Sequence, residues 1–231
     1  MKCKLCGSIN TEPLPFEWDI NRSPPGNWVR CWDCGSDSND VKYNMGNYTV
    51  DLAVNHEANG GGPREQENSL RFNCDILDMF RNQVPDNTFL DVGCCDGAGL
   101  RVMQNRGWSV HGFDVFKPNY YGSHITVSPL FSADLFPRKY SAVMCREVFE
   151  HVLYPGALIN ELRRVCLVGG LFQLQTPAPT TRDVAHVYQE PHLFVASPTW
   201  LRERLEEQGE IIHEHFWEGG QLYTIRVQDN T

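Results

Sequence analysis

The sequence predicts an α/β fold with a mostly parallel sheet, preceded by a small module that a metal ion holds together. Beyond residue 62, short apolar runs alternate with segments whose apolar residues recur at helical spacing. Near the end of the chain, two alternating runs are joined by Glu218-Gly219-Gly220, which is typical of an antiparallel hairpin. Residues 1–45 are instead rich in Cys, Trp and Pro. We therefore divide the chain into a module at 1–45, a linker at 46–62 and an α/β domain at 63–231.

Local signals fix the order of the elements in the α/β domain. Gly107 and the Gly169-Gly170 pair stop two helices, and Gly209 stops a third, which begins with Ser197 as its cap and Pro198 in its first turn. The predicted helices cover 63–84, 100–106, 155–168 and 198–208, and the predicted strands cover 88–92, 108–113, 125–127, 141–144, 171–175, 211–217 and 222–227. Seven strands then form one sheet with helices on both faces, and a ligand site is expected at the carboxyl ends of its central strands.

The charge balance limits the partners that the protein can have. The chain of 231 residues holds 20 Lys and Arg against 29 Asp and Glu, a formal net charge of −9. Neutralising nucleic-acid phosphates needs clustered basic residues, so this charge disfavours broad binding to RNA or DNA. No apolar run approaches the ~20 residues of a membrane helix, and no charged-then-apolar signal segment opens the chain. We expect a cytoplasmic protein that does not bind membranes.

Four of the nine cysteines form two matching Cys-x-x-Cys-Gly knuckles, Cys3 with Cys6 and Cys31 with Cys34. Each knuckle presents two thiolates from one tight turn, and four thiolates suit a tetrahedral Zn²⁺. Such an ion can hold together a module that is too small for a core of its own. Iron in a rubredoxin-like site and chance cysteine pairs are the two other interpretations of this pattern.

A turn of small residues joins the first strand of the α/β domain to the next helix, with the sequence Asp91-Val-Gly93-Cys94-Cys-Asp-Gly97-Ala-Gly. Small residues let backbone amides approach a ligand, and the helix N-terminus favours an anionic group. Asp114, at the end of the second strand, suits a ribose because a carboxylate can accept hydrogen bonds from both ribose hydroxyls. A tight turn that serves packing alone is the alternative.

These residues together resemble the class I S-adenosylmethionine-dependent methyltransferases, which have a Rossmann-like fold. The resemblance runs from about Phe89 onwards and implies that Asp91, Gly93 and Gly97 shape the methionine pocket and that Asp114 holds the ribose. We also assign Cys94, in the same turn, and Arg146, after the fourth strand, to the cofactor pocket; Cys95 and Ser141 depart from the family, which usually has Gly and Asp at these positions.

The fourth strand leads into Glu147-Val-Phe-Glu150-His151, beside the predicted cofactor. One helical turn would bring the two carboxylates and the imidazole together, which suits a divalent ion such as Mg²⁺ or Mn²⁺ with open positions. The segment looks like that of ubiquinone-type O-methyltransferases and small-RNA 2′-O-methyltransferases, where a later His completes the metal site. His192 is the best match for that His and His186 the next. Without a metal, His151 could act as the general base.

The leading hypothesis is a methyltransferase that uses S-adenosylmethionine to methylate a hydroxyl of a sugar or other small metabolite. The order of knuckles, linker and core resembles small bacterial methyltransferases of polysaccharide and secondary-metabolite assembly. In this hypothesis Glu147 and His151 act as base or as metal ligands, and the knuckle zinc is structural. An RNA methyltransferase whose zinc ribbon recognises its substrate, and a non-catalytic zinc-binding interaction protein with a degenerate fold, are the two alternatives.

Overall fold

The computed structural model of the chain describes residues 1–14, 27–40, 63–115, 124–182, 187–188 and 192–229. The predicted linker at 46–62 and His186 lie outside these residues. Four α-helices lie in the described part of the chain: α1 Pro63–Met79, α2 Ala98–Asn105, α3 Pro155–Val165 and α4 Pro198–Glu206. None of the described helices is long and apolar enough to cross a membrane.

The strands form two sheets. The N-terminal sheet contains β1 Thr11–Pro13, β2 Trp28–Cys31, β3 Asp37–Asn39 and β9 Phe194–Val195, in that spatial order. The main sheet contains β4 Thr88–Val92, β5 Ser109–Asp114, β6 Ile125–Val127, β7 Tyr140–Arg146, β8 Cys166–Pro177, β10 Gly209–Trp217 and β11 Gly220–Val227. Its spatial order is β10-β11-β8-β7-β4-β5-β6. The pairs β10–β11 and β11–β8 are antiparallel, and the other four pairs of this sheet are parallel. The predicted seven-stranded, mostly parallel sheet with a C-terminal hairpin is confirmed.

Successive residues of the central strands face opposite sides of the sheet, and each side has its own core. Leu90 of β4 and Val143 of β7 pack into one cluster with α3 and α4, while Phe89 and Met144 pack into a second cluster with α1 and α2. All four side chains are fully buried. This explains why the central strands are almost continuously apolar, as strands covered on both faces must be.

The structure corrects three predicted helix ends. Helix α3 stops at Val165, and Gly169 and Gly170 lie inside β8. The register of the pairing between β7 and β8 shifts after Tyr140. The residues of β8 that contain these glycines therefore form an irregular part of the strand. Helix α1 ends at Met79, short of the predicted 84. Helix α4 ends at Glu206, and Gly209 begins β10.

The N-terminal sheet is completed by a strand from the far end of the chain. Ser38 of β3 pairs with Phe194 of β9, and Asp37 pairs with Val195. A further backbone hydrogen bond runs from the Asn39 amide to the Leu193 carbonyl, at 3.1 Å. The small N-terminal module is therefore attached to the α/β domain by strand pairing.

Candidate active site and metal centres

The glycine turn lies between β4 and α2, at the carboxyl edge of the sheet. Gly93 has a φ of +79°, which L side chains rarely adopt, and a Cβ atom at this position would collide with Val148 Cγ2. Val148 belongs to the segment that follows β7, so the turn and that segment are packed directly against each other. Only glycine at position 93 allows both the turn and this contact.

Two buried carboxylates lie at the ends of β4 and β5. The Asp114 Oδ2 atom accepts a hydrogen bond of 2.8 Å from the Cys95 amide, which fixes the carboxylate beside the turn. The Asp91 Oδ2 atom lies so close to Gly99, in the first turn of α2, that a side chain there would collide with it. Burial, and then the negative charge of Asp114, raise the pKa of Asp91 to about 7. A cationic ligand placed here would favour the ionised form of Asp91.

The other two residues assigned to the cofactor pocket differ in their surroundings. The Cys94 side chain is buried in the second core cluster, and its amide donates to the Phe113 carbonyl, so its thiol lies inside the protein rather than in a pocket. The positive charge of Arg146 partly offsets the effect of burial on Asp91. The Arg146 Nε atom is buried and has no hydrogen-bond partner among the described residues. Arg146 is thus suited to an anionic group of a ligand.

Three ligand atoms converge after β7, within 4.8 Å of one another, from Glu150, His151 and His192. The Glu150 Oε1 atom lies 3.7 Å from His151 Nε2 and 3.9 Å from His192 Nε2. A tetrahedral ion with bonds of 2.0–2.2 Å separates its ligand atoms by about 3.4 Å, so small shifts would bring these three atoms onto one ion. Two imidazoles and one carboxylate suit a transition-metal ion better than Mg²⁺.

The surroundings of this cluster fit a cation. Glu150 is fully buried, and its Oε1 atom has no hydrogen-bond partner among the described residues, while Oε2 accepts a hydrogen bond of 2.9 Å from Thr176. Burial, and then the charge of Glu147, raise the pKa of Glu150 well above its ordinary value. The His192 Nδ1 atom lies 2.8 Å from the Val187 carbonyl oxygen. Because a carbonyl only accepts, Nδ1 carries the proton and Nε2 offers a lone pair to the cluster.

Glu147, which the sequence grouped with these residues, is not one of the three whose ligand atoms converge, but its carboxyl lies close enough to Glu150 to raise the pKa of Glu150. The Glu147 Oε1 atom accepts a hydrogen bond of 2.8 Å from Gln175 of β8, and the Glu147 backbone has a φ of +52°. The segment 149–151 forms a short 3-10 helix that begins after Glu147, so Glu147 and Glu150 do not share one helical turn. Left-handed backbone at a residue other than glycine costs about 1–2 kcal/mol and is concentrated at functional sites.

The four cysteines of the two knuckles also converge. The Sγ atoms of Cys3 and Cys34 lie 3.7 Å apart, and those of Cys6 and Cys31 lie 3.5 Å apart. All four cysteines are free thiols, and their sulfurs lie within 4.8 Å of one another. Zinc–sulfur bonds of 2.3 Å in a tetrahedron place the sulfurs about 3.8 Å apart. The cluster therefore has the size that a Cys₄ zinc site needs.

Contacts around the two clusters include residues that the sequence reasoning missed. Gln175 and Thr176, near the end of β8, hold Glu147 and Glu150 respectively. Two glutamines in an otherwise apolar buried strand, Gln173 and Gln175, were the available signal for this polar edge. Tyr188 and Asp37, which are hydrogen-bonded at 2.6 Å, have no such signal because 151 positions separate them.

Ser141, which departs from the family, lies at the opposite end of β7 from these groups. Its hydroxyl donates to Asp86 Oδ1 at 2.6 Å and accepts from the Asp86 amide at 2.9 Å. The carboxylate that the fourth strand lacks is thus supplied by Asp86, in the turn before β4. Ser141 therefore has a structural role in place of the family's Asp, and it lies far from the carboxyl edge of the sheet.

A groove of about 520 Å³ lies where the N-terminal module meets the α/β domain. Trp32 and Arg30 line it on one side, and Thr180 and Glu218 line it on the other. Trp32 is 60% exposed, although it directly follows Cys31 of the second knuckle. None of the cluster residues Glu150, His151 and His192 lines this groove, so it is separate from the site after β7.

Comparison with known proteins identifies the family. Residues 64–220 match a family described as a methyltransferase domain, which covers more than half of the chain. The chain therefore belongs to this methyltransferase-domain family, and its seven-stranded sheet has the Rossmann-like fold of methyltransferases. The chain is 34% identical over 122 residues to a ubiquinone biosynthesis O-methyltransferase from Nitrosomonas europaea. That match covers 47% of this chain and spans only half the length of this curated relative.

Solved structures share the fold at low sequence identity. The chain is similar to a 1,6-didemethyltoxoflavin-N1-methyltransferase from Burkholderia thailandensis, which was solved with 1,6-didemethyltoxoflavin and S-adenosylhomocysteine bound. The two chains are 13% identical with a TM-score of 0.63, and the match covers 94% of this chain and 100% of the other. The chain is also similar to an S-adenosylmethionine-dependent methyltransferase from Archaeoglobus fulgidus, with 16% identity, a TM-score of 0.59, and coverage of 76% and 99%. At these identities the likeness establishes the fold alone.

Proposed function

We propose that this protein transfers the methyl group of S-adenosylmethionine to a hydroxyl oxygen of a sugar or another small metabolite. The observation that carries the proposal is the convergence of Glu150, His151 and His192 after β7, next to the glycine turn. The curated relative from Nitrosomonas europaea is an O-methyltransferase by name, which supports oxygen as the acceptor atom. The net charge of −9 supports a small acceptor over RNA.

The methyl donor would occupy the carboxyl edge of β4 and β5. Asp91 would face the positively charged methionine end of the donor, and Asp114 would accept hydrogen bonds from its ribose hydroxyls. Gly93 and Gly97 would keep the turn open to the donor, and Arg146 would attract its carboxylate. These roles rest on the burial of both carboxylates and on the contact between Gly93 and Val148.

Glu150, His151 and His192 would hold a divalent ion, and Mn²⁺ is a suitable probe for it. When bound, such an ion would lower the pKa of an acceptor hydroxyl beside it and stabilise the charge that forms there. Glu147, half-buried and three residues away, would take up the hydroxyl proton. The oxygen lone pair would then form the new C–O bond as the C–S bond of the donor breaks, and the electron pair of that bond would stay on sulfur.

The four knuckle cysteines would bind one structural Zn²⁺. All four protein ligands are thiolates, so no position is left for an acceptor, and the ion would stabilise the module rather than take part in the chemistry.

A labelling experiment tests the proposed function. The zinc-loaded protein is incubated with methyl-labelled S-adenosylmethionine and separate pools of catechols, sugars, nucleosides and RNA. We expect label on a small hydroxyl compound, suppression by a chelator, and recovery with Mn²⁺ while the zinc content stays constant. Full activity after chelation would leave His151 as the base and remove the divalent ion from the proposal. Label on RNA alone would overturn the choice of acceptor.

A further inference from the structure

We propose that the zinc-held module positions the second metal site, and that Tyr188 and Asp37 are the positioning residues that connect the two. This inference rests on the proposed function, because it assigns a task to the module within the same methyl-transfer site. It differs from a role in recognising a partner, which the sequence alone would also allow. Two separate sets of contacts lead from the knuckles to Glu150 and His192.

The first set runs through the backbone of Leu193. Its carbonyl accepts a hydrogen bond of 3.1 Å from the Asn39 amide of β3, and its amide donates one of 2.9 Å to the Glu150 carbonyl. One peptide segment thus joins the module to Glu150, whose Oε1 atom has no hydrogen-bond partner in the described part of the chain. His192 directly precedes Leu193, so the same contact limits where the imidazole can lie.

The second set runs through two side chains. The Tyr188 hydroxyl donates a hydrogen bond of 2.6 Å to Asp37 Oδ2, and Arg30 holds the same carboxylate with two further bonds of 2.9 and 3.0 Å. Asp37 and Tyr188 are completely buried, and Tyr188 packs edge-on against Trp28 with ring centroids 5.0 Å apart. Val187, the neighbour of Tyr188, offers the carbonyl that accepts the His192 Nδ1 proton.

The module end of these contacts reaches the knuckles directly. The Ser38 hydroxyl of β3 donates to Cys3 Sγ at 3.8 Å and accepts a hydrogen bond of 3.1 Å from the Lys4 amide, in the same knuckle. At the other knuckle, the Ser197 hydroxyl donates to the Cys34 carbonyl at 2.5 Å. Both knuckles therefore hold the segment that contains His192 and β9. Groups that orient a metal-ligating imidazole typically change the metal affinity by about 10- to 100-fold, so these contacts should affect metal binding measurably.

The test compares Mn²⁺ binding to single variants of the zinc-loaded protein, measured from the electron paramagnetic resonance signal of free Mn²⁺. Tyr188→Phe removes the hydroxyl but leaves Asp37 paired with Arg30, and Tyr140→Phe is the matched control. Tyr140 is equally buried, and its hydroxyl bonds His111 Nδ1 at 2.9 Å, away from the module. Ser38→Ala, which cuts the contact with Cys3, is the second test variant.

We expect Tyr188→Phe to weaken Mn²⁺ binding by about tenfold. Ser38→Ala should weaken it by a smaller factor, and Tyr140→Phe should leave it unchanged. The zinc content and the affinity for S-adenosylhomocysteine should stay constant in all three variants, which a general loss of structure would not allow. If Tyr188→Phe binds Mn²⁺ like the wild type while His192→Ala does not, the positioning role is wrong and the proposed metal site stands. If the wild type binds no Mn²⁺, both are wrong.

Discussion

The two halves of the candidate site are built in different ways. The proposed methyl-donor site is called the cofactor half here, and the proposed metal site the acceptor half. The cofactor half comes from 24 consecutive positions, 91–114, in which one turn and two neighbouring strand ends supply Gly93, Asp91 and Asp114. The acceptor half combines Glu150 and His151 with His192, which lies about 40 positions further along and is held by the N-terminal module. A local site of the first kind can be recognised from sequence, whereas one of the second kind depends on tertiary contacts.

Substitutions at Glu150 and at its neighbour Glu147 should have the largest effect on the rate of methyl transfer, and the two should differ in their effect on Mn²⁺ binding. We expect Glu150→Gln to lower the rate of methyl transfer by about 10³-fold and to abolish Mn²⁺ binding, because the buried Oε1 atom would lose its charge. Glu147→Gln should lower the rate by about 10²-fold and keep Mn²⁺ binding, because Glu147 lies outside the converging atoms. Methyl transfer and Mn²⁺ titration are measured for both. Loss of Mn²⁺ binding in Glu147→Gln would contradict the account of Glu147 as a base outside the three metal ligands.

Gly93→Ala should damage the cofactor half and the protein as a whole. The new methyl group would collide with Val148 Cγ2, and the φ of +79° would be strained. We expect a loss of about 2–4 kcal/mol in the free energy of unfolding and at least a 100-fold loss in affinity for S-adenosylhomocysteine. Urea unfolding and calorimetry measure the two effects. An alanine variant with normal affinity would mean that the turn does not contact the cofactor.

The pH dependence of cofactor binding should report on Asp91. Its folded-state pKa of about 7 means that the carboxyl is mostly protonated at pH 6 and mostly ionised at pH 8. Since the α-ammonium group of S-adenosylhomocysteine would prefer the ionised form of Asp91, we expect this ligand to bind about tenfold more tightly at pH 8 than at pH 6. Asp91→Asn should bind weakly at both pH values. An Asn variant that keeps the wild-type pH profile would exclude Asp91 as its source.

The stability of the ligand-free protein should change with pH in the opposite sense. Between the ordinary value of 3.8 and about 7, the folded protein keeps a proton on Asp91 that the unfolded chain has lost. The contribution of this group to stability is therefore full at low pH and is lost as the pH rises through about 7. At pH 8 we expect Asp91→Asn to be more stable than the wild type by about 2 kcal/mol, measured by urea unfolding, although it binds the cofactor less well.

Cys95 should give the smallest effect. It has a φ of +48° at a position where related methyltransferases usually have glycine. Cys95→Gly would relieve the strain while keeping the amide that donates to Asp114. We expect a gain of about 0.5–1 kcal/mol in the free energy of unfolding and little change in cofactor affinity. A loss of stability would indicate that contacts of the Cys95 thiol matter more than the strain.

The fold was largely predictable because burial on both faces makes β4 and β7 mostly apolar, and because glycine and capping signals separate most elements. The end of α3 was not predictable, since the glycines expected to stop the helix are instead absorbed by the irregular start of β8. Local order predicted the glycine turn and the strand ends that carry Asp91 and Asp114, and their cofactor roles stay a prediction. The position of Glu147 outside the three converging ligand atoms accompanies a hydrogen bond from Gln175, and the attachment of the module depends on β9; no local pattern indicates either contact.

Calorimetric titration of the protein with S-adenosylhomocysteine is the most direct test of the central claim that the glycine turn and the two aspartates form a methyl-donor site. We expect one site per chain with a micromolar dissociation constant in the wild type, and at least tenfold weaker binding in Asp114→Ala. A wild type that shows no binding at millimolar ligand, or an Asp114→Ala variant that binds as tightly as the wild type, would contradict it.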